Sequence, residues 1–153
     1  MIKTHGQEAV DAYFTAEDKL KGLLLFGPNG TGKTTAMRPY ATNKMWNASA
    51  IEYANKIAES GPAYIQRWNM HDMYIDDLGR ERDNVSHYGD RNITPLHDLL
   101  HFRYEIFKTQ GYRTHISTNL TMKEIEAKYG LQIADRIKEM CEVIHFKGDS
   151  LRK

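Results

Sequence analysis

The sequence has little that suits an exported or membrane-bound protein. It holds one cysteine, Cys141, so no internal disulfide framework can form, and a reducing cytoplasm is the expected location. No apolar run approaches the roughly 20 residues of a membrane span. The opening residues, Met1-Ile2-Lys3-Thr4-His5-Gly6-Gln7, lack the apolar core of a secretory signal. Charge of one sign is also missing. The formal net charge is +1, so no global basic field draws the chain to nucleic acid, and any such binding must be local or come from several copies side by side. There are no internal repeats, low-complexity stretches or linkers. What remains is an ordinary soluble composition, 41% hydrophobic and 27% charged, in 153 residues, enough for one domain with a real core.

Against that plain background one stretch stands out. Gly27-Pro28-Asn29-Gly30-Thr31-Gly32-Lys33-Thr34 fits the phosphate-binding P-loop pattern G-x-x-x-x-G-K-[ST] without a mismatch. The glycines let the backbone curl until its N–H groups face an anion. Lys33 places a cation against the β- and γ-phosphates, and the Thr34 hydroxyl is a ligand for Mg²⁺. Thr35 completes the expected nucleotide-binding set. The apolar run Leu23-Leu24-Leu25-Phe26 feeds the loop as a buried parallel strand should, and a helix is expected to follow with its N-terminus toward the phosphates.

A second chemical signal lies at Asp72-Met73-Tyr74-Ile75-Asp76-Asp77-Leu78-Gly79, where a largely apolar strand runs into paired carboxylates in the Walker B pattern. Asp76 is the expected Mg²⁺ partner and Asp77 the residue that polarises an attacking water. The plain alternative for two adjacent acids is a solvated turn.

The rest of the chain supplies a frame. Residues 8–20 read as a short helix and lead-in with Val10, Tyr13 and Phe14 on one face. Residues 34–44 read as helix, with Pro39 forcing a kink or an early stop. A strand over 45–50 and a helix over 51–59 follow, the latter stopped by Gly61-Pro62. Residues 80–93 read as a long polar loop, either a contact or gating element or a plain surface loop. Thr94 and Pro95 open a helix to about 108, with Leu96, Leu99, Leu100, Tyr104 and Phe107 as its apolar stripe. Its His97-Asp98-Leu99-Leu100-His101 resembles H-E-x-x-H in outline, but Asp98 is shorter than the required Glu and no third ligand is evident. A strand ends at Ser117-Thr118-Asn119, which sets the Asn119 amide beside the Walker B tip if the two strands are neighbours. Thr121-Met122-Lys123-Glu124 is a capping box for a helix to Tyr129, a further helix covers 133–140, and Glu142-Val143-Ile144-His145-Phe146 is the last strand. Five strands alternating with helices predict an α/β fold, a parallel sheet flanked by helices with ligand at the strands' carboxyl ends.

Taken together, the P-loop, Tyr74-Ile75-Asp76-Asp77-Leu78-Gly79, Leu99-Leu100-His101-Phe102-Arg103-Tyr104, Ser117-Thr118-Asn119-Leu120, the run from Tyr129 to Ile137 and the tail from His145 to Arg152 resemble the AAA+ ATPases, and within them the DnaC-type helicase loaders and IstB-type transposon helper ATPases. Residues 1–20 are set apart as the N-terminal helix and lead-in, and over 21–153 the resemblance implies a P-loop NTPase core of the AAA+ type without a helical lid domain. It implies ATP and Mg²⁺ as ligands and ATP hydrolysis as the activity. It implies Asn119 as sensor 1, Arg136 as an arginine finger inserted into a neighbouring subunit's site, and Arg152 as a sensor-2 arginine on the nucleotide. Its implied partners are a replicative helicase or a transposase, single-stranded DNA, and further copies of the chain in an ATP-dependent oligomer. Two residues depart from the family pattern or stand open. The usual catalytic Glu of Walker B is Asp77 here, and Arg136 read from its helix alone is a surface arginine near Asp135 and Glu139. Arg67-Trp68 is a candidate stacking contact for single-stranded DNA, with ordinary packing as its alternative.

Other P-loop classes compete. Asp76-Asp77-Leu78-Gly79 matches the GTPase D-x-x-G, but Asn43-Lys44-Met45-Trp46 has Trp where guanine recognition needs Asp. A small-molecule kinase would use Arg80, Arg82 and Arg91 as a lid over ATP, and a nucleotide-gated scaffold would bind ATP while hydrolysing little.

Overall fold

The structure, a computed structural model, describes residues 5–17, 19–82, 85–87 and 90–147, with only the backbone path given for 85–87 and 90–93. Arg152 lies outside these residues, as do the side chains of Arg91 and its neighbours.

Five strands form one parallel sheet: β1 (Gly22–Phe26), β2 (Trp46–Ser49), β3 (Met73–Leu78), β6 (Thr114–Thr118) and β7 (Cys141–His145), in the order β2-β3-β6-β1-β7. Between β3 and β6 in the chain a small antiparallel hairpin, β4 (Val85–His87) and β5 (Asp90–Ile93), occupies part of what reads as a polar loop. Its polar, mixed-charge residues carry no period-2 apolar signal, which is why it reads as loop.

Helices cover both faces. α1 (His5–Thr15) and the short α2 (Lys33–Met37) pack on one side with Val10, Tyr13, Leu23, Leu25, Met37, Tyr74 and Phe146. α3 (Ala50–Ser60), α4 (Pro95–Gln110), α5 (Met122–Tyr129) and α6 (Leu131–Met140) build the larger core on the other, around Leu24, Ile75, Ile116 and Met73. Leu23 and Leu25 face one layer and Leu24 the other, the two-residue period of a strand buried on both sides. Among the described residues no helix is long and apolar enough to cross a membrane, and no helical lid domain is present.

Local chemistry explains the element ends. α2 stops at Met37, the early stop that Pro39 predicts. α5 begins with the expected box, Thr121 accepting from the Glu124 N–H and Glu124 from the Thr121 N–H. α3 begins the same way at Ser49 and Glu52. Thr94 makes no side-chain cap, so α4 starts on Pro95 alone. The buried face of α4 is also turned from the expected stripe. Arg103 and Ile106 are buried, and Tyr104 and Phe107 are only partly so. In β3 the pairing with β6 shifts register between Ile75 and Leu78, so that Asp76 and Asp77 together face Ser117.

Candidate nucleotide-binding site

β1, an interior strand flanked by β6 and β7, releases the loop 27–34 at its carboxyl end. Gly27 is forced by proximity: a β-carbon there would lie 2.2 Å from the Phe146 carbonyl oxygen. Gly32, at φ 91°, turns the chain into α2 in a conformation that suits glycine. The Lys33 side chain folds back over the loop and donates to the carbonyls of Gly27 (2.6 Å) and Pro28 (2.9 Å), while Thr31 Oγ1 donates to the Pro28 carbonyl at 2.8 Å. Burial lowers the Lys33 pKa, with the Asp77 and Asp76 carboxylates opposing that shift.

The tips of β3 and β6 form the opposite wall. The two walls enclose a cleft of about 440 Å³ lined by Asn29, Gly30, Gly32, Lys33, Thr34, Thr35, Asp77, Arg80 and Asn119. Asp76 lies beside it. Its Oδ1 accepts from Thr34 Oγ1 (3.0 Å), Tyr74 OH (2.7 Å) and Ser117 Oγ (2.6 Å). A Thr34 hydroxyl that donates to Asp76 has its lone pairs left for a cation, so two hard oxygen groups stand together as Mg²⁺ requires. Asn119 Nδ2 donates to Asn29 Oδ1 at 2.6 Å, and Asn119 Oδ1 is buried without a hydrogen-bond partner. An orphaned buried acceptor in a cleft is an expected place for a ligand or its water. The donor set therefore fits a nucleotide phosphate chain with Mg²⁺.

No protein-family model matches this sequence, and no curated protein matches it. Solved structures do. The DnaC helicase loader aligns with a TM-score of 0.64 at 16% identity, over 96% of this chain and 93% of that one. DnaI aligns with a TM-score of 0.67 at 16% identity, over 96% and 88%. The chain shares the fold of these two structures, a parallel α/β sheet carrying a P-loop. AMPPCP-bound DnaA from Aquifex aeolicus shares it at a TM-score of 0.64 and 13% identity, with this chain spanning 49% of that one.

Within this fold the expected site residues divide into two groups. The P-loop residues with Thr35, Asp76, Asp77 and Asn119 come together in and beside the cleft. Arg136 does not join them. It stands on α6 with its guanidinium 4.7 Å over the Tyr104 ring and against His101 on α4. Neither Asp135 nor Glu139 is its partner; Glu139 instead takes Lys108 (3.1 Å) and Tyr104 OH (2.8 Å). Trp68 is buried edge-on against Tyr53 and Tyr64, so its ring is core, while Arg67 lies on Tyr64 at 5.0 Å. His97 sits 3.7 Å from its neighbour Asp98.

Sequence reasoning gave Ser117 and Tyr74 no role, although both touch Asp76. Their signal is period two: Tyr74 lies two residues before Asp76, on the same face of β3. Arg80 appeared only as part of a lid. It lines the cleft from the turn that follows β3.

Proposed function

We propose that this chain binds and hydrolyses ATP and acts as a DNA-replication helicase loader or a similar DNA-associated helper ATPase, as an oligomer whose active sites are completed by a neighbouring subunit. The observation that carries the reading is the cleft itself, where Lys33, Thr34, Asp76, Asp77 and Asn119 converge from three separate strand ends. Likeness of fold to the DnaC helicase loader supports the biological setting.

The roles follow from the geometry. Lys33, now held on the loop carbonyls, would exchange them for phosphate oxygens. Thr34 and Asp76 would hold Mg²⁺, which when bound neutralises charge on the β- and γ-phosphates. Asp77 would orient water for attack and take its proton, and the free Asn119 Oδ1 would accept a hydrogen bond from that water. Arg136 is half-exposed, has no carboxylate partner among the described residues and lies away from its own chain's cleft. It is therefore suited to another subunit's site, where a finger of this kind supplies about 10³–10⁵ in rate. Arg152 would add a nucleotide contact from the tail. A replicative helicase, or else a transposase, and single-stranded DNA are the partners of this reading. The short arm of Asp77 favours one alternative, a nucleotide-gated scaffold with little turnover.

The test is ATP hydrolysis against protein concentration, with and without single-stranded DNA. Specific activity should rise with concentration and again with DNA. Lys33→Ala should lose nucleotide binding. Arg136→Ala should keep binding and lose the concentration-dependent turnover, and unchanged turnover there removes the shared site. Flat activity indifferent to DNA would favour a self-contained kinase-like site; tight binding without turnover would favour the scaffold.

A further inference from the structure

Two adjacent carboxylates on a regular strand point to opposite faces of the sheet, so at most one of them can serve a given site. β3 breaks that rule. Ile75 pairs with Ile116 and Leu78 with Thr118, which leaves Asp76 and Asp77 opposite the single residue Ser117, a β-bulge. Asp77 takes a positive φ of 56°, uncommon outside glycine and best tolerated by Asn and Asp. Its N–H donates to the Ser117 side chain, to Oγ at 3.0 Å. The same hydroxyl donates to Asp76 Oδ1 at 2.6 Å.

We propose that Ser117 is the positioning residue of the carboxylate pair, its one hydroxyl closing the bulge at Asp77 and orienting Asp76 toward the metal side of the cleft. The proposal rests on the ATP and Mg²⁺ reading above and adds a residue to it. Ser117 is fully buried, so water does not replace its hydroxyl. Its proton goes to Asp76 and a lone pair to the Asp77 N–H, so the one hydroxyl serves both acids at once. Thr34, Tyr74 and Ser117 together saturate Oδ1 of Asp76, and among the described residues no hydrogen bond reaches Oδ2. The carboxylate is thus locked by one oxygen with the other available for a cation or its water. Tyr74 shares the Asp76 duty but does not touch Asp77, and Thr34 belongs to the metal set itself. Among the described residues Ser117 alone hydrogen-bonds to both acids.

The experiment is equilibrium binding of AMPPCP to the full chain over a Mg²⁺ titration, and again in EDTA. Ser117→Ala should raise the Mg²⁺ needed for half-maximal binding about tenfold, the usual scale when a partner of a metal ligand is removed. Affinity in EDTA should stay at the wild-type value, because the loop and Lys33 are untouched. Tyr74→Phe should shift the Mg²⁺ requirement by less. An unchanged Mg²⁺ requirement in Ser117→Ala overturns the assignment, and so does an equal loss of affinity with and without Mg²⁺, which marks a general structural defect. A larger shift in Tyr74→Phe than in Ser117→Ala also overturns it. Wild-type protein that binds AMPPCP with no Mg²⁺ dependence removes the metal reading itself, and the inference with it.

Discussion

The two ends of strands β3 and β6 are built from the same residue types and behave in opposite ways. At their amino ends every strong polar group is spent inward. Arg103, fully buried, donates from Nε to Thr114 Oγ1 (2.8 Å) and from its other nitrogens to the carbonyls of Trp68 (2.9 Å), His71 (3.0 Å) and Arg113 (2.8 Å). Arg113 pairs with Asp72 at 3.0 Å, and the His115 ring nitrogen accepts from the Leu23 N–H at 3.1 Å. At the carboxyl ends the groups are held but left incomplete: Asn119 Oδ1 is orphaned, and the Arg80 side chain makes no hydrogen bond or ion pair among the described residues. Saturated polarity welds the sheet, whereas unsaturated polarity on the same strands waits for a ligand.

Removing Arg103 is the harshest way to break that contrast. Burial pulls its pKa down to about 10, with Asp72 opposing, so it stays charged at neutral pH. Arg103→Met leaves three carbonyls and the Thr114 hydroxyl without their donor and should cost about 3–5 kcal/mol in urea unfolding. Arg103→Lys keeps the charge but cannot fork to all four acceptors, and should fall between Met and wild type. A loss under about 1 kcal/mol in Arg103→Met would mean that water satisfies the site and that the amino ends are not welded.

Arg103 also shows where sequence reasoning stops. The P-loop, the five strand runs and the Thr121-Glu124 cap were legible because each rests on local chemistry: a strict spacing, an apolar run, a box. A helical stripe drawn from apolar residues alone takes Tyr104 and Phe107 and passes over Arg103, because its four partners come from elsewhere in the chain and no local pattern announces them. The bulge is hidden for a similar reason. Asp76-Asp77 reads as a pair, but how both serve one site depends on Ser117, 40 residues from Asp77. Arg136 marks the opposite limit. Its own helix suggested pairing with Asp135 or Glu139, yet the packing of α4 against α6 gives it Tyr104 and His101 instead.

His115 gives the next largest effect, through pH. Burial holds its pKa down at about 4; Asp72 opposes the shift, while Arg113, Arg103 and Lys19 reinforce it. Because the folded pKa lies below the unfolded value near 6.5, the unfolded chain binds the proton first. Stability is therefore complete above about pH 6.5 and falls as pH drops toward about 4, by roughly 3 kcal/mol across that window from this group. His115→Asn offers an oxygen where the accepting ring nitrogen stood and does not titrate. Its urea midpoint should fall less than the wild type's between pH 6.5 and 4. Parallel curves would show that His115 is not the group that titrates.

At the carboxyl end the matching change should scarcely touch the fold. Arg80 sits on a turn tied down around it: its N–H reaches the Asp77 carbonyl at 3.3 Å, and the Gly79 N–H donates to Glu81 Oε1 at 2.8 Å. Glu81 is itself buried and held by the Tyr129 hydroxyl, with Lys128 on its carbonyl at 3.1 Å. The turn is fixed without help from the exposed Arg80 side chain, and Arg80 lines the proposed nucleotide cleft. Arg80→Ala should change unfolding free energy by no more than about 0.5 kcal/mol while weakening AMPPCP binding severalfold, and more than it weakens ADP, because a charge-assisted phosphate contact is lost. A stability loss near that of Arg103→Met would place Arg80 among the welded groups. Equal binding of both nucleotides in the variant and the wild type would show that its charge faces solvent and not the phosphates.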